Sequence, residues 1–285
     1  MDCDTKKCYK ALGILAGIGA LGIALGAAID WATRPYAMRL IQQRHAAHAL
    51  PPVGEPACQL YAGAPHPEAA KHAARGGEEA ESAAEALLQG KRVVLDPGHG
   101  MSNRKEGMHD PGAVYGGIKE SELCLRLSAK AGEILSSKRA TVIYTRASES
   151  ERAPLSERAA LGKGADAYVS IHCNAALAPS ARGVRVFYRK GCPEGKALAE
   201  FIYRELTEEL SRVPGFEQPC YGVREGDYYV LRCSQAAAAA LAEVGFLSND
   251  GDRRIVAENS DAVARGIAKG VECYLRATAG GKKRD

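Results

Sequence analysis

The chain has 285 residues, 46% hydrophobic and 25% charged, the balance of an ordinary globular protein with room for one large domain or two small ones. A net charge of +4, with Lys282-Lys283-Arg284 as the basic run, excludes a nucleic-acid binder, whose signature is a basic stripe or domain. Nine cysteines without a C-x-x-C pair exclude a zinc ribbon and a thioredoxin-type site.

Residues 1–10 are polar and carry Lys6, Lys7 and Lys10; Ala11 to Ile29 then run 19 residues without a charge. That length meets the roughly 17–25 residues of a membrane-spanning helix. It exceeds the usual apolar core of a signal peptide, about 7–15 residues, and no small-x-small site followed by mature-looking sequence stands out. Residues 1–32 are therefore expected to form a cytoplasmic tip and an uncleaved single-pass transmembrane helix, with membrane contact through 11–29. Arg34, Arg39 and Arg44 match the three lysines before the span, so charge alone does not orient it. Residues 33–90 carry Pro51, Pro52, Pro56, Pro65 and Pro67 among Ala, Glu, His and Gly, the composition of a stalk or linker. His45, His48, His66 and His72 in this tract read as solvated side chains.

From Lys91 the texture is that of a compact α/β domain, expected to extend to residue 278 and to leave a short basic tail, 279–285. Val93-Val94-Leu95 predicts a buried strand that Asp96-Pro97-Gly98 ends, presenting His99 on a loop at the strand's carboxyl end. A Gly/Asn/Pro-rich loop is expected over 97–117. Leu123, Leu127 and Ile134/Leu135 then predict a helix over 120–135, opened by Glu120. Strands are predicted at 141–145, 167–172 and 183–188, and a short helix at 155–161. Leu198, Phe201/Ile202, Leu206 and Leu210 mark one amphipathic helix; Val263, Ile267, Val271 and Tyr274/Leu275 mark another. Alternating strands and helices imply one α/β domain, a layered and mostly parallel sheet flanked by helices.

Four acid or imidazole side chains stand at element ends: His99, Glu120, His172 and Glu243. Ligands bind at the carboxyl ends of strands in open α/β sheets, which is where His99 and His172 fall. Two imidazoles and one carboxylate would leave a tetrahedral zinc with one open position, and a further acid nearby could serve as general base. Each residue also has a plainer reading. The histidines could be ordinary surface or core groups, Glu120 could complement a helix N-terminus, and Glu243 could be a partnered buried carboxylate.

Several separated motifs narrow the choice. Val93–Gly100, Asp110-Pro111-Gly112-Ala113, Gly117-Ile118-Lys119-Glu120, Leu155-Ser156-Glu157-Arg158, Ser170–Ala175 and Glu243–Asn249 occur in the order found in the zinc-dependent N-acetylmuramoyl-L-alanine amidases, and over 91–277 the chain resembles that family. The resemblance implies a twisted, mixed sheet and one Zn²⁺ held by His99, Glu120 and His172. It implies Glu243 as the catalytic glutamate, and peptidoglycan or its muropeptides as substrate. It points to Asn174, Leu231 and Arg232 as substrate-binding residues. The expected reaction is hydrolysis of the amide joining N-acetylmuramic acid to L-alanine, outside the cytoplasmic membrane, by a catalytic domain tethered through an anchor with its N-terminus inside. A catalytically inactive amidase-like module that tethers membrane to wall is the alternative.

The chain departs from the family pattern in places. Cys173 follows His172 where Ala is common, and strand alternation turns it away from the site. His109, in a long loop, is placed outside the ligand set. Ala236–Ala240 replaces the β-branched residues expected before Glu243; propensity favours helix there, family register favours strand, and strand is the expectation adopted. A dinucleotide fingerprint on Gly98-x-Gly100 fails, because Asn103 stands at the third glycine.

Overall fold

A computed structural model describes residues 87–219 and 221–279. The expected span at 11–29, nearly all of the linker and most of the basic tail lie outside them. No helix among the described residues is long and apolar enough to cross a membrane.

In chain order the elements are β1 (Arg92–Pro97), β2 (Gly100–Met101), β3 (His109–Asp110), β4 (Val114–Tyr115), β5 (Ile118–Lys119), α1 (Glu120–Ser137), β6 (Thr141–Tyr144), α2 (Leu155–Ala160), β7 (Ala167–Asn174), β8 (Arg185–Tyr188), α3 (Pro193–Ser211), β9 (Val223–Glu225), α4 (Tyr229–Cys233), β10 (Ala239–Phe246), α5 (Asp250–Glu258) and α6 (Ser260–Ala279). Six strands form one mixed sheet in the order β6-β1-β7-β10-β8-β9. Its neighbours pair in parallel except β10 and β8, which are antiparallel. The loop expected over 97–117 holds one small hairpin, β2–β3, and the start of a second, β4–β5, which ends at Lys119.

The sheet's two faces are unequal. Val93, Leu95, Val169, Ile171, Cys173, Ala240, Ala242 and Val244 point into the larger core, against Leu123 and Leu127 of α1, Leu198 and Ile202 of α3, and Val263 and Ile267 of α6. The alternate residues Val94, Tyr168 and Leu241 meet a smaller cluster with Val230 and Leu231 of α4. Toward the carboxyl ends of β7 and β10 this thin face carries His172 and Glu243 instead of apolar side chains.

β1 runs two residues past its predicted end, through Pro97, which pairs with Ile171 of β7. A proline is tolerated there because its missing N–H points toward β6. That strand has already ended opposite Leu95.

Of the Ala-rich approach to Glu243, Ala236–Ala238 form a bend rather than the expected strand, and the strand begins at Ala239, where propensity alone favours helix. Ala238, Ala240 and Ala242 are fully buried against Leu198, Ala199 and Ile202. Small side chains let α3 lie close to the strand: a Cβ added to Gly195 would come within 2.9 Å of the Ala239 carbonyl oxygen. Packing on both faces overrides the helix preference of alanine.

Candidate functional site

His99 follows β1 in a left-handed conformation, φ 62°, which costs a non-glycine residue free energy and persists only when its surroundings impose it. Two buried arginines impose it. Arg146 donates from Nε to the Pro97 carbonyl (3.1 Å) and from Nη2 to those of Gly98 (2.7 Å) and Ser121 (2.8 Å). Arg158 donates from Nη1 to the Pro97 carbonyl (2.6 Å) and from Nη2 to that of His99. Arg158 also bonds Asp96 Oδ1 at 3.0 Å. Burial alone would raise the Asp96 pKa; Arg158 and the Ser170 and Thr145 hydroxyls outweigh it and hold the carboxyl below its ordinary value.

The two glycines beside the site supply space. A Cβ on Gly98 would lie 2.4–2.6 Å from the His172 ring, and one on Gly112 would lie 2.5 Å from Glu120 Oε2 and 2.7 Å from His99 Cδ2. Gly112 also has φ 67°, and beyond His99 the backbone stays left-handed at Gly100, φ 97°. At Gly98 only the space is needed.

His99, Glu120 and His172 meet: one ligand atom from each lies within 4.8 Å of the other two. Glu120 Oε1 is 2.9 Å from His99 Nε2 and 3.0 Å from His172 Nδ1. The imidazole rings stand edge to face, centroids 4.8 Å apart. Glu120 opens α1, and backbone N–H groups fix both its oxygens, Cys173 at 3.0 Å to Oε1 and Ala113 at 2.8 Å to Oε2. Behind His99, Asp110 Oδ2 faces Nδ1 at 3.0 Å and is itself held by Asn103 at 2.8 Å. An imidazole whose far nitrogen is held by a carboxylate is the usual arrangement of a metal-ligating histidine. Two imidazole nitrogens and a carboxylate oxygen are a donor set that fits Zn²⁺ with a position to spare. Burial opposes protonation of His99, but Glu120 and Asp110 outweigh it and raise its pKa to about 10. A cation is what this cluster favours, whether a proton or a metal.

Glu243 lies in β10 directly opposite His172 of β7. In-register neighbours share a face, so its carboxyl stands beside the cluster. Its Oε2 is buried without a hydrogen-bond partner among the described residues. Burial and then the negative charge of Glu120 push its pKa up to about 8, partly offset by His99 and Arg185.

The remaining sequence expectations divide. Asn174 lies one alternation beyond His172 on the same face, its Oδ1 accepting from Ala175 N at 2.8 Å. Leu231 is 3% exposed within the smaller core, and Arg232 is exposed and tied to Asp227 at 2.6 Å; neither reaches the cluster. From that segment it is Tyr228 that faces Glu243, whose charge adds to burial in raising the phenol pKa. Cys173 points into the larger core, as alternation requires. His109 bonds Glu149 at 2.8 Å, away from the cluster. Sequence reasoning missed Arg146, and it met Arg158 in the Leu155-Ser156-Glu157-Arg158 motif without giving it a role. It also missed Arg185, a charge that interrupts Val184-Arg185-Val186.

Comparison with known proteins agrees with this geometry. Residues 93–273 match the family described as N-acetylmuramoyl-L-alanine amidase. The germination-specific N-acetylmuramoyl-L-alanine amidase of Bacillus subtilis (strain 168) is 30% identical over 205 residues, covering 66% of this chain and 81% of its own. Among solved structures, the CwlD amidase of Clostridioides difficile, determined in complex with the GerS lipoprotein, is similar with a TM-score of 0.58 at 26% identity, covering 66% of this chain and 99% of that one. The catalytic domain of CwlV, an N-acetylmuramoyl-L-alanine amidase from Bacillus (Paenibacillus) polymyxa var. colistinus, is similar with a TM-score of 0.55 at 28% identity, covering 65% and 98%. On these grounds the chain belongs to the N-acetylmuramoyl-L-alanine amidases, enzymes that hydrolyse peptidoglycan.

Proposed function

We propose that His99, Glu120 and His172 hold a catalytic zinc ion and that Glu243 is the general base and acid of the amidase reaction. The observation that carries this is the placement of a carboxylate whose Oε2 is buried and without a partner among the described residues, in register with one member of the His/Glu/His cluster. Bound there, zinc would act as a Lewis acid, polarising the scissile carbonyl and lowering the pKa of water.

Glu243 takes a proton from the attacking water as its oxygen bonds the lactyl carbonyl carbon. It then delivers that proton to the alanine nitrogen as the C–N bond breaks, leaving a lactyl carboxyl group and a free amine. Beside bound zinc, a dication, Glu243 would have its pKa drawn down from the metal-free level, so that the group can both accept and return a proton near neutrality. Asp110 orients His99, while the Cys173 and Ala113 amides fix Glu120. Asn174 and Arg232 are assigned to the substrate groove; Leu231 supports its wall from the smaller core.

Residues 91–278 are proposed as the catalytic domain, 33–90 as a stalk, 279–285 as a basic tail, and 11–29 as a transmembrane anchor with its N-terminus inside. The substrate lies outside the cytoplasmic membrane, which supports that orientation. A reporter fused after Asp285 should work only on the outer side.

The test of the chemistry compares zinc content and muropeptide release by wild type and Glu243→Ala. The variant is expected to keep its zinc and lose about 10²–10⁴-fold in rate. Equal release by both proteins would overturn the role of Glu243.

A further inference from the structure

Arg185 of β8 stands directly opposite Glu243 of β10. Alternation puts both side chains on the thin face, in one row with His172. The Arg185 guanidinium lies over Tyr221 and Phe187, 4.6 Å and 5.8 Å from the ring centroids. Tyr228 packs on Phe187 at 5.0 Å and completes an aromatic wall. Arg185 Nε is buried and has no hydrogen-bond partner among the described residues.

Arg146 and Arg158, the fully buried arginines of this end of the sheet, are bonded to carbonyls and carboxylates. Arg185 is different: no ion pair joins it to Glu243 or to another carboxylate among the described residues. Arg185 is half-buried, with Nε shut off from solvent, and a donor placed so gains by meeting an anion. Stacking on aromatic rings fixes its plane but leaves its donors unspent.

We infer that Arg185 determines substrate specificity by binding a free carboxylate on the peptide side of the scissile amide, one residue beyond the alanine. This rests on the placement of the reacting bond at Glu243. A stem whose second residue is a glutamate joined onward through its γ-carboxyl keeps its α-carboxyl as a free carboxylate or as the amide. One extended residue spans about 3.3–3.6 Å, and facing residues of an antiparallel pair stand about 4.5–5.5 Å apart. A carboxylate one residue past the bond at Glu243 therefore falls within reach of Arg185. The planar guanidinium matches a carboxylate with two parallel hydrogen bonds. A carboxamide sets an N–H₂ donor against one of those donors and carries no charge.

The test uses the full-length, zinc-loaded chain and two muramoyl-tripeptides that differ only in that group, free carboxylate against amide. Wild type is expected to favour the carboxylate stem by about tenfold or more in kcat/KM, the scale on which a site built for a polar group rejects a poor match. Arg185→Gln should lower kcat/KM for the carboxylate stem at least about tenfold more than for the amidated stem, mainly through KM. Arg185→Lys should retain part of the preference. Equal kcat/KM for both stems in wild type overturns the inference. So does a fall by the same factor on both stems in Arg185→Gln, which would mark a packing role.

Discussion

Single residues set the electrostatics of this site, and Glu243 is the clearest case. Its pKa is raised from 4.5 to about 8, first by burial and then by the charge of Glu120. Without zinc the folded chain therefore holds a proton that the unfolded chain has already released. The stability this contributes is fully present below about pH 4.5 and is lost as pH rises through about 8. Glu243→Gln cannot ionise and escapes the loss. Thermal melts in a chelator should show the variant gaining on wild type between those two pH values; a gap that stays constant would contradict the burial of that charge. Asp110 acts at one remove. Because it holds His99 Nδ1 at 3.0 Å, Asp110→Ala should weaken zinc binding about 10–100-fold, read by competition with a chromophoric chelator, with little change in secondary structure.

At the level of elements, small residues decide how closely the layers approach. In α6, Cβ atoms added to Gly266 and Gly270 would lie 2.6 Å and 2.5 Å from the backbone of Leu206 and Ile202 in α3. Alanine is favoured over glycine by about 1 kcal/mol inside a helix, but backbone cannot move aside as a side chain can. Gly270→Ala should therefore destabilise, by roughly 1–3 kcal/mol as overpacking usually does; a denaturant midpoint that rises would refute the close α3–α6 contact. Such approaches also mark where sequence reading loses resolution. The periodicity of α1, α3 and α6 was legible because long apolar stripes bury one face. Strand β10 was not legible from propensity, because what makes Ala239–Ala242 a strand is the helix on one side and two neighbouring strands, none of them local. Likewise β1 ends at Pro97 rather than Leu95 because the partner on one side stops early. Of the site, the strand-end positions of His99 and His172 could be read from pattern, and their partners came from the family resemblance. Asp110, Arg146, Arg158 and Arg185 act through contacts between segments distant in the chain, which composition and spacing do not encode.

For the molecule as a whole, the proposed working parts are divided along the chain. His99, Glu120 and His172 all precede β8, whereas Glu243 arrives only with β10, in the middle of the same sheet. Between them lies an exposed turn, Arg189 to Gly191, that joins β8 to α3. A break there leaves one piece with every proposed metal ligand and no base, and another with the base and no metal. Exposed turns tolerate such nicks, and β7–β10 and β8–β10 pairing would bring the pieces back together. Each fragment alone should be inert toward peptidoglycan, and mixing the two should restore muropeptide release. The seam beside Glu243 thus makes the enzyme divisible into two harmless halves, a natural place to put its activity under the control of whatever brings those halves together.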